Sequence, residues 1–422
     1  MFRRSLSYTG FVLVLLAVAW GAWRTTMEGF ILAWPRGFGG DFTAAMFGGD
    51  WWNGRGIIYG PIFVIESWLV AWLPHVFTPH FFALANVFLA VGAFVFCIKA
   101  CRAGLEVTLV GMALWLCYWR LLYSFAVAAN PEFLELFFLS WAWFAASRRR
   151  ESTEGVLIAA AGLTKLIPWV FVVPLVLRRS VRALTLLVCV TLSVILVVAI
   201  GQQMSLSETI FQVIVPFNGR PMTTLAPVAY SSEFVGLLEA LARVIFGAGA
   251  QPISPEHLLS IRALFVSIVV FAMCVTVWAS IRLLRQRSAD GEESRWALLY
   301  AMYFALVPVL SVQAHAHTFL FLLPIWIAFV DQLWKDKSDV KVRAVFGVCL
   351  AFCYVVTGFN PVLIAADKIF RWSLMSTWMR HEPMVGNLLL IVVVWAYIVV
   401  RSRVPATPDS VSRKRVCLAQ PA

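Results

Sequence analysis

RRRESTEGVLIAAAGLTKLIPWVFVVPLVLRR, from Arg148 to Arg179, decides how this chain is arranged. Its two ends are arginine runs, Arg148-Arg149-Arg150 and Arg178-Arg179, and the stretch 154–178 between them is apolar. Lysine and arginine beside membrane spans stay on the cytoplasmic side. Two basic ends on one apolar stretch therefore belong on the same side. Lys165 and Pro168 interrupt the stretch midway. Proline breaks a helix interior, and an ammonium is costly in hydrocarbon. The reading is two half-helices, up and back, with the turn at Thr164–Pro168. Irregular backbone at membrane depth is tolerated only where protein or a water-filled cavity surrounds it.

The remainder of the chain supplies the membrane. Of its 422 residues 61% are hydrophobic and 13% charged, with mean hydropathy +0.84. Soluble chains run nearer half apolar and a quarter charged, so the excess faces lipid. Aromatics are 14%, with 19 Trp, suited to interfacial belts or an aromatic-lined cavity. A span needs roughly 20 apolar residues. Ten stretches qualify as full spans: 9–23, 79–98, 105–127, 131–147, 183–200, 260–281, 295–312, 317–334, 341–358 and 384–401. The expected fold is all-α, a polytopic transmembrane helical bundle with a half-helix pair and outer juxtamembrane helices. The run after Arg3-Arg4 has no cleavage pattern and is read as a retained first helix.

Charge threads these spans. If 57–74 crossed, the Lys99/Arg102 and Arg148–Arg150 clusters would fall outside. With its Pro61 and Glu66 it is read instead as a juxtamembrane or re-entrant helix of the first outer loop. The stretch 232–247 also stands apart from the ordinary count. About two thirds of the 34 lysines and arginines then lie inside. Both termini are expected in the cytoplasm and the protein in the plasma (inner) membrane. Residues 1–404 form one transmembrane domain with long outer segments 24–78, 201–259 and 359–383, and 405–422 form a disordered tail. The net charge of +12 follows from these clusters, so nucleic acid is not the expected partner. The eight cysteines are scattered with no CxxC pair, and are read as packing residues.

Polar sequence concentrates on the outer side, where function is expected. The first outer loop reads Gly39-Gly40-Asp41-Phe42-Thr43, then Gly49-Asp50-Trp51-Trp52, then Tyr59-Gly60-Pro61. Asp41, at the interface after two glycines, can take a proton from an acceptor hydroxyl or can cap a helix. Asp50 has the same two readings. Asn130-Pro131 is a turn signal where a span begins. Arg120 falls within a span and either faces a cavity, snorkels outward or pairs with Glu132 or Glu135. Lys165, at the hairpin turn, either meets a phosphate, pairs with a carboxylate or reaches the interface. Ser311 to His317 brings His315 and His317 to another outer junction. They suit a general base or a phosphate donor; no third ligand accompanies them, so no metal is expected. There is no P-loop, GxGxxG, HExxH or GxSxG element. No soluble domain can hold a nucleotide sugar, and no cofactor is expected.

Together these residues resemble glycosyltransferase family 87 (the DUF2029 group) of the GT-C superfamily, polyprenyl-phosphate-sugar-dependent transferases that include mannosyltransferases. Asp41-Phe42 with Gly54 and Tyr59 is similar to the family's first-loop pattern. Gly155 to Lys165-Leu166-Ile167-Pro168 is similar to its Gly…Lys-x-x-Pro stretch. Tyr230-Ser231-Ser232 stands where the family has Asn-Gln-Ser, and His317 at its Trp-x-His histidine. Val312 and His315 replace the family's Pro and Trp, Gly60 parts Tyr59 from Pro61, and Ala128-Ala129-Asn130-Pro131 replaces its Gly-Gln-x-Asn.

The resemblance implies Asp41 as catalytic base, with His317 assisting at the acceptor or phosphate side. Lys165, Arg120, His315, Asp50, Tyr59, Asn130 and Arg220 would contribute to substrate binding. The implied reaction moves a hexose such as mannose, with inversion, from a polyprenyl-phosphate donor to a glycolipid or glycan acceptor of the cell envelope. The rival classes are a transporter or lipid-linked sugar flippase, which also uses broken helices and midplane charges, and a non-catalytic relative.

Overall fold

A computed structural model of the chain describes residues 8–24, 61–62, 65, 68, 78–118, 132–165, 167–210, 255–285, 292–310, 316–335, 340–358 and 382–403. The described residues form helices without strands, and each of the ten expected spans overlaps one, but the expected 105–127 helix stops at Cys117, where Tyr118 turns extended, and 317–334 opens as a 3₁₀ segment. Among the described residues six stretches are long and apolar enough to cross a membrane: Leu84–Cys101, Val181–Gly201, Ala263–Arg285, Thr318–Lys335, Val340–Gly358 and Pro383–Arg401. Of 57–74, residues 61, 62, 65 and 68 are helical. Trp68 sits against Gly201, where a Cβ would come within 2.3 Å of its ring.

Helix α1 is Tyr8–Arg24, α2 Thr78–Cys101, α3 Leu105–Cys117 and α4 Glu132–Ser147. α5 is Glu151–Thr164, followed by the 3₁₀ segment Ile167–Phe171 and α6, Val172–Leu177. α7 is Val181–Gly201, α8 Pro255–Arg285 and α9 Glu292–Leu310. A second 3₁₀ segment, Ala316–Leu322, enters α10, Leu323–Lys335, and α11 (Val340–Gly358) and α12 (Glu382–Arg403) follow.

The order of contacts along each helix gives the directions. α2 and α4 run parallel, with Gly92 against Phe137 and the Cys97 thiol donating to Ser140 Oγ at 3.5 Å. α3 and α10 run antiparallel, since Trp115 donates to the Leu323 carbonyl while Gly111 meets Ile327. α9 is the axis of the bundle, buried from Ala297 to Val307. Tyr303 bonds Ser280 of α8 at 3.1 Å, and Asn387 of α12 donates to the Ala305 carbonyl near Pro308. α7 and α11 turn many large apolar side chains outward, as lipid-facing helices do.

The basic clusters gather at one end of this bundle. Arg148 donates to the Lys99 carbonyl, and Lys335 Nζ donates to the Cys101 carbonyl at 2.6 Å. Both cations thus meet the electronegative C-terminus of α2. Helices α2, α4, α6 and α7 stop in a left-handed residue at Arg102, Arg149, Arg179 and Gln203. At each stop the next amide bonds five residues back, as Ala103 to Ile98, Arg150 to Ala145, Ser180 to Leu175 and Met204 to Ala199. Glycine is the usual residue there. At the basic end arginine takes its place three times, where its charge favours both the helix terminus and the interface.

Candidate active site at the hairpin tip

The stretch from Arg148 to Arg179 folds as a hairpin whose two ends meet. Arg178 Nη2 lies 2.5 Å from Glu154 Oε1, so the exit of α6 is tied to the entrance of α5. The Tyr300 hydroxyl of α9 donates to the same oxygen at 2.7 Å, and Trp296 lies under the Arg178 guanidinium at 4.3 Å. Both arms therefore start and finish at the basic end. Gly155 and Gly162 make the fold tight. A Cβ at Gly155 would fall 2.2 Å from the Ala183 carbonyl of α7, and one at Gly162 would strike the Trp169 ring of the returning arm.

The tip breaks at Lys165. Its amide still bonds the Ala161 carbonyl, but its backbone is extended, with φ −151 and ψ 146. Pro168 then sits in the first turn of the 3₁₀ segment, where its missing N–H costs no bond. The Lys165 side chain is buried, and Nζ lies 2.7 Å from Glu132 Oε1 on the first turn of α4. Of the expected alternatives for Lys165, pairing with a carboxylate is the arrangement seen. Glu135, one turn on, is also fully buried. Acidic side chains belong on a first helical turn, where the dipole favours them.

The second 3₁₀ segment, Ala316–Leu322, packs on α4 and on α9. Thr318 is 1% exposed, and its Oγ1 has no hydrogen-bond partner among the described residues. The Tyr118 hydroxyl reaches the Phe319 carbonyl at 3.4 Å. Tyr118 in turn lies against Gly358, where a Cβ would fall 2.0 Å from its ring. This end of the bundle, opposite the arginine clusters, thus collects the hairpin tip, the start of α4 and the His317-bearing segment.

Lys165 is the expected site residue whose side chain the structure describes. His317 is placed by its backbone within the second 3₁₀ segment. Asp41, Asp50, Tyr59, Arg120, Asn130, Arg220 and His315 lie outside the described residues, as does the tail from 405. Glu132 enters the site as the Lys165 partner, whereas the sequence set it against Arg120. The signal for it was Glu-x-x-Glu opening an otherwise apolar helix.

An ammonium carries three donors, of which Glu132 takes one. With water excluded, fixed charges of this kind act strongly on charge that develops nearby. No group of three or more metal-ligating side chains occurs among the described residues.

The sequence model of glycosyltransferase family 87 matches residues 58–245. The matched segment contains the whole hairpin and α4, with Tyr59, Arg120, Asn130, Lys165 and Arg220; Asp41, Asp50, His315 and His317 lie outside it. No curated protein and no solved structure matches the chain. The family match, on a chain of apolar helices, supports a membrane glycosyltransferase.

Proposed function

We propose that this family 87 relative transfers a hexose from a polyprenyl-phosphate donor to a cell-envelope glycan or glycolipid on the extracytoplasmic face. The observation that carries the reading is the re-entrant hairpin inside the family 87 segment, whose tip holds a buried lysine opposite the basic end. A donor in the membrane needs no soluble nucleotide-binding domain. Its sugar would be presented at the end of the bundle where the tip and the His317 segment meet.

The chemistry is one displacement. The acceptor oxygen forms a bond to the anomeric carbon as the bond to the lipid phosphate oxygen breaks, so the configuration inverts. The hydroxyl proton goes to the Asp41 carboxylate, and the lipid leaves as its monophosphate. His317 assists at the acceptor or the phosphate. Arg120 and Arg220 are the cations available to the departing phosphate, whose charge a water-poor site stabilises most through fixed partners, and Lys165 stands at the tip in its pair with Glu132. His315, Asp50, Tyr59 and Asn130 complete the proposed substrate contacts.

Purified protein supplied with radiolabelled polyprenyl-phosphate mannose and envelope lipid acceptors should yield labelled glycolipid, and a nucleotide sugar alone should yield none. Asp41→Asn should lower the rate ~10²–10⁴-fold, the usual weight of general base catalysis, with the protein still inserted. Transfer from the nucleotide sugar, or full activity of Asp41→Asn, would contradict the mechanism. Movement of lipid-linked sugar across vesicles without transfer would favour the transporter reading.

A further inference from the structure

Lys165 and Glu132 are a costly way to join a hairpin to a helix. Lys165 is 5% exposed and Glu132 fully buried, so both charges have left water. A buried pair of this kind is often no more stable than well-packed apolar residues of the same size, whereas removal of one partner alone is strongly destabilising. Stability by itself does not explain the pair. What it does is directional, since an ammonium and a carboxylate in contact at 2.7 Å admit few alternative registers. The carboxylate belongs to the first turn of α4, and α4 also carries the His317-bearing 3₁₀ segment. The backbone turns extended at Lys165 after its amide bond to Ala161, and the side-chain pair ties this point of the tip to the first turn of α4.

We infer that Glu132 is a positioning residue for the transfer reaction. It acts through Lys165 and registers the hairpin tip against the segment that carries His317. The inference rests on the glycosyltransferase reading, and it separates Lys165 from a direct phosphate ligand. A lysine that binds the donor itself would be released by neutralising Glu132, and donor binding would tighten. A lysine that positions the tip fails equally when either partner is lost.

The test is a cycle of Lys165→Met, Glu132→Gln and the double variant, with Lys165→Met/Glu132→Leu as the apolar replacement. Melting in detergent is measured without substrate, and kcat and donor KM with polyprenyl-phosphate mannose. Each single variant should melt below wild type, and the apolar pair should recover. Both singles and both doubles should lose kcat by a similar factor, about 10²-fold as for a small misplacement of reacting groups, with KM little changed. A Lys165→Met loss confined to KM, with Glu132→Gln binding donor more tightly, would overturn the inference. So would an apolar pair with wild-type kcat, or singles whose losses multiply in the double. Absence of transfer by the wild type, with the melting cycle still coupled, would instead overturn the proposed activity.

Discussion

Gly155 has no side chain because the carbonyl of Ala183 occupies the place of one. Backbone cannot step aside, so Gly155→Ala should push α5 and α7 apart. The expected cost is about 1–3 kcal/mol, as for other overpacked cores, read as a lower melting temperature in detergent. Gly162→Ala is the control. Its new methyl meets the Trp169 ring, a side chain that can rotate, so it should melt higher than Gly155→Ala. The reverse order would mean that the two arms are held otherwise. The sequence marked Gly155 as the opening of the Gly…Lys-x-x-Pro stretch but not what either glycine meets, because close approach is a property of the neighbour as much as of the glycine. Glu132 was visible as an acid in an apolar helix, yet its partner lies 33 residues away and was open until the chain was folded.

At the scale of the element, the hairpin is held at its base by one carboxylate, Glu154, shared between Arg178 and Tyr300. Arg178→Met should leave Glu154 buried with a hydroxyl partner only, at a cost of about 3–5 kcal/mol. Tyr300→Phe removes one hydrogen bond to a charged group and should cost about 1.5–3 kcal/mol. Melting of the two variants checks the order, and equal shifts would mean that Tyr300 carries as much as the guanidinium. The up-and-back path has its own test. In a background without native cysteines, Ser152→Cys and Arg179→Cys should react with an impermeant maleimide from the same side of sealed vesicles. Reaction from opposite sides would turn the hairpin into an ordinary span. This element was legible before folding because two arginine runs, a lysine and a proline act on it locally, and each has a fixed cost in a membrane.

At the scale of the whole molecule, Lys99, Arg148, Arg178 and Lys335 come from four separate parts of the chain and meet at one end. The proposed cytoplasmic placement of that end predicts a common side for a reporter fused after Arg285 or Arg403, and the other side for one fused after Gln202. Alkaline phosphatase, active only outside the cytoplasm, should be silent at the first two and active at the third. Activity at all three would break the threading. The axis of the bundle is α9, a helix whose composition resembles its neighbours but which is enclosed on every side from Ala297 to Val307. Apolar content alone does not separate a lipid-facing helix from an enclosed one, since both are free of charge.

The amino-acid sequence by itself determined the membrane class, the course of most of the helices and the reversal at Lys165. Each follows from hydropathy and charge summed over neighbouring residues, and the cost of placing them in hydrocarbon does not depend on distant partners. Folding decided which carboxylate faces Lys165, which helix lies at the centre and which glycines meet backbone. Those outcomes depend on groups far apart in the chain, and they exist only once the helices have chosen neighbours. The hairpin from Arg148 to Arg179 shows both: its path was written in local charge, and its anchors, Glu132 at the tip and Tyr300 at the base, were supplied by packing.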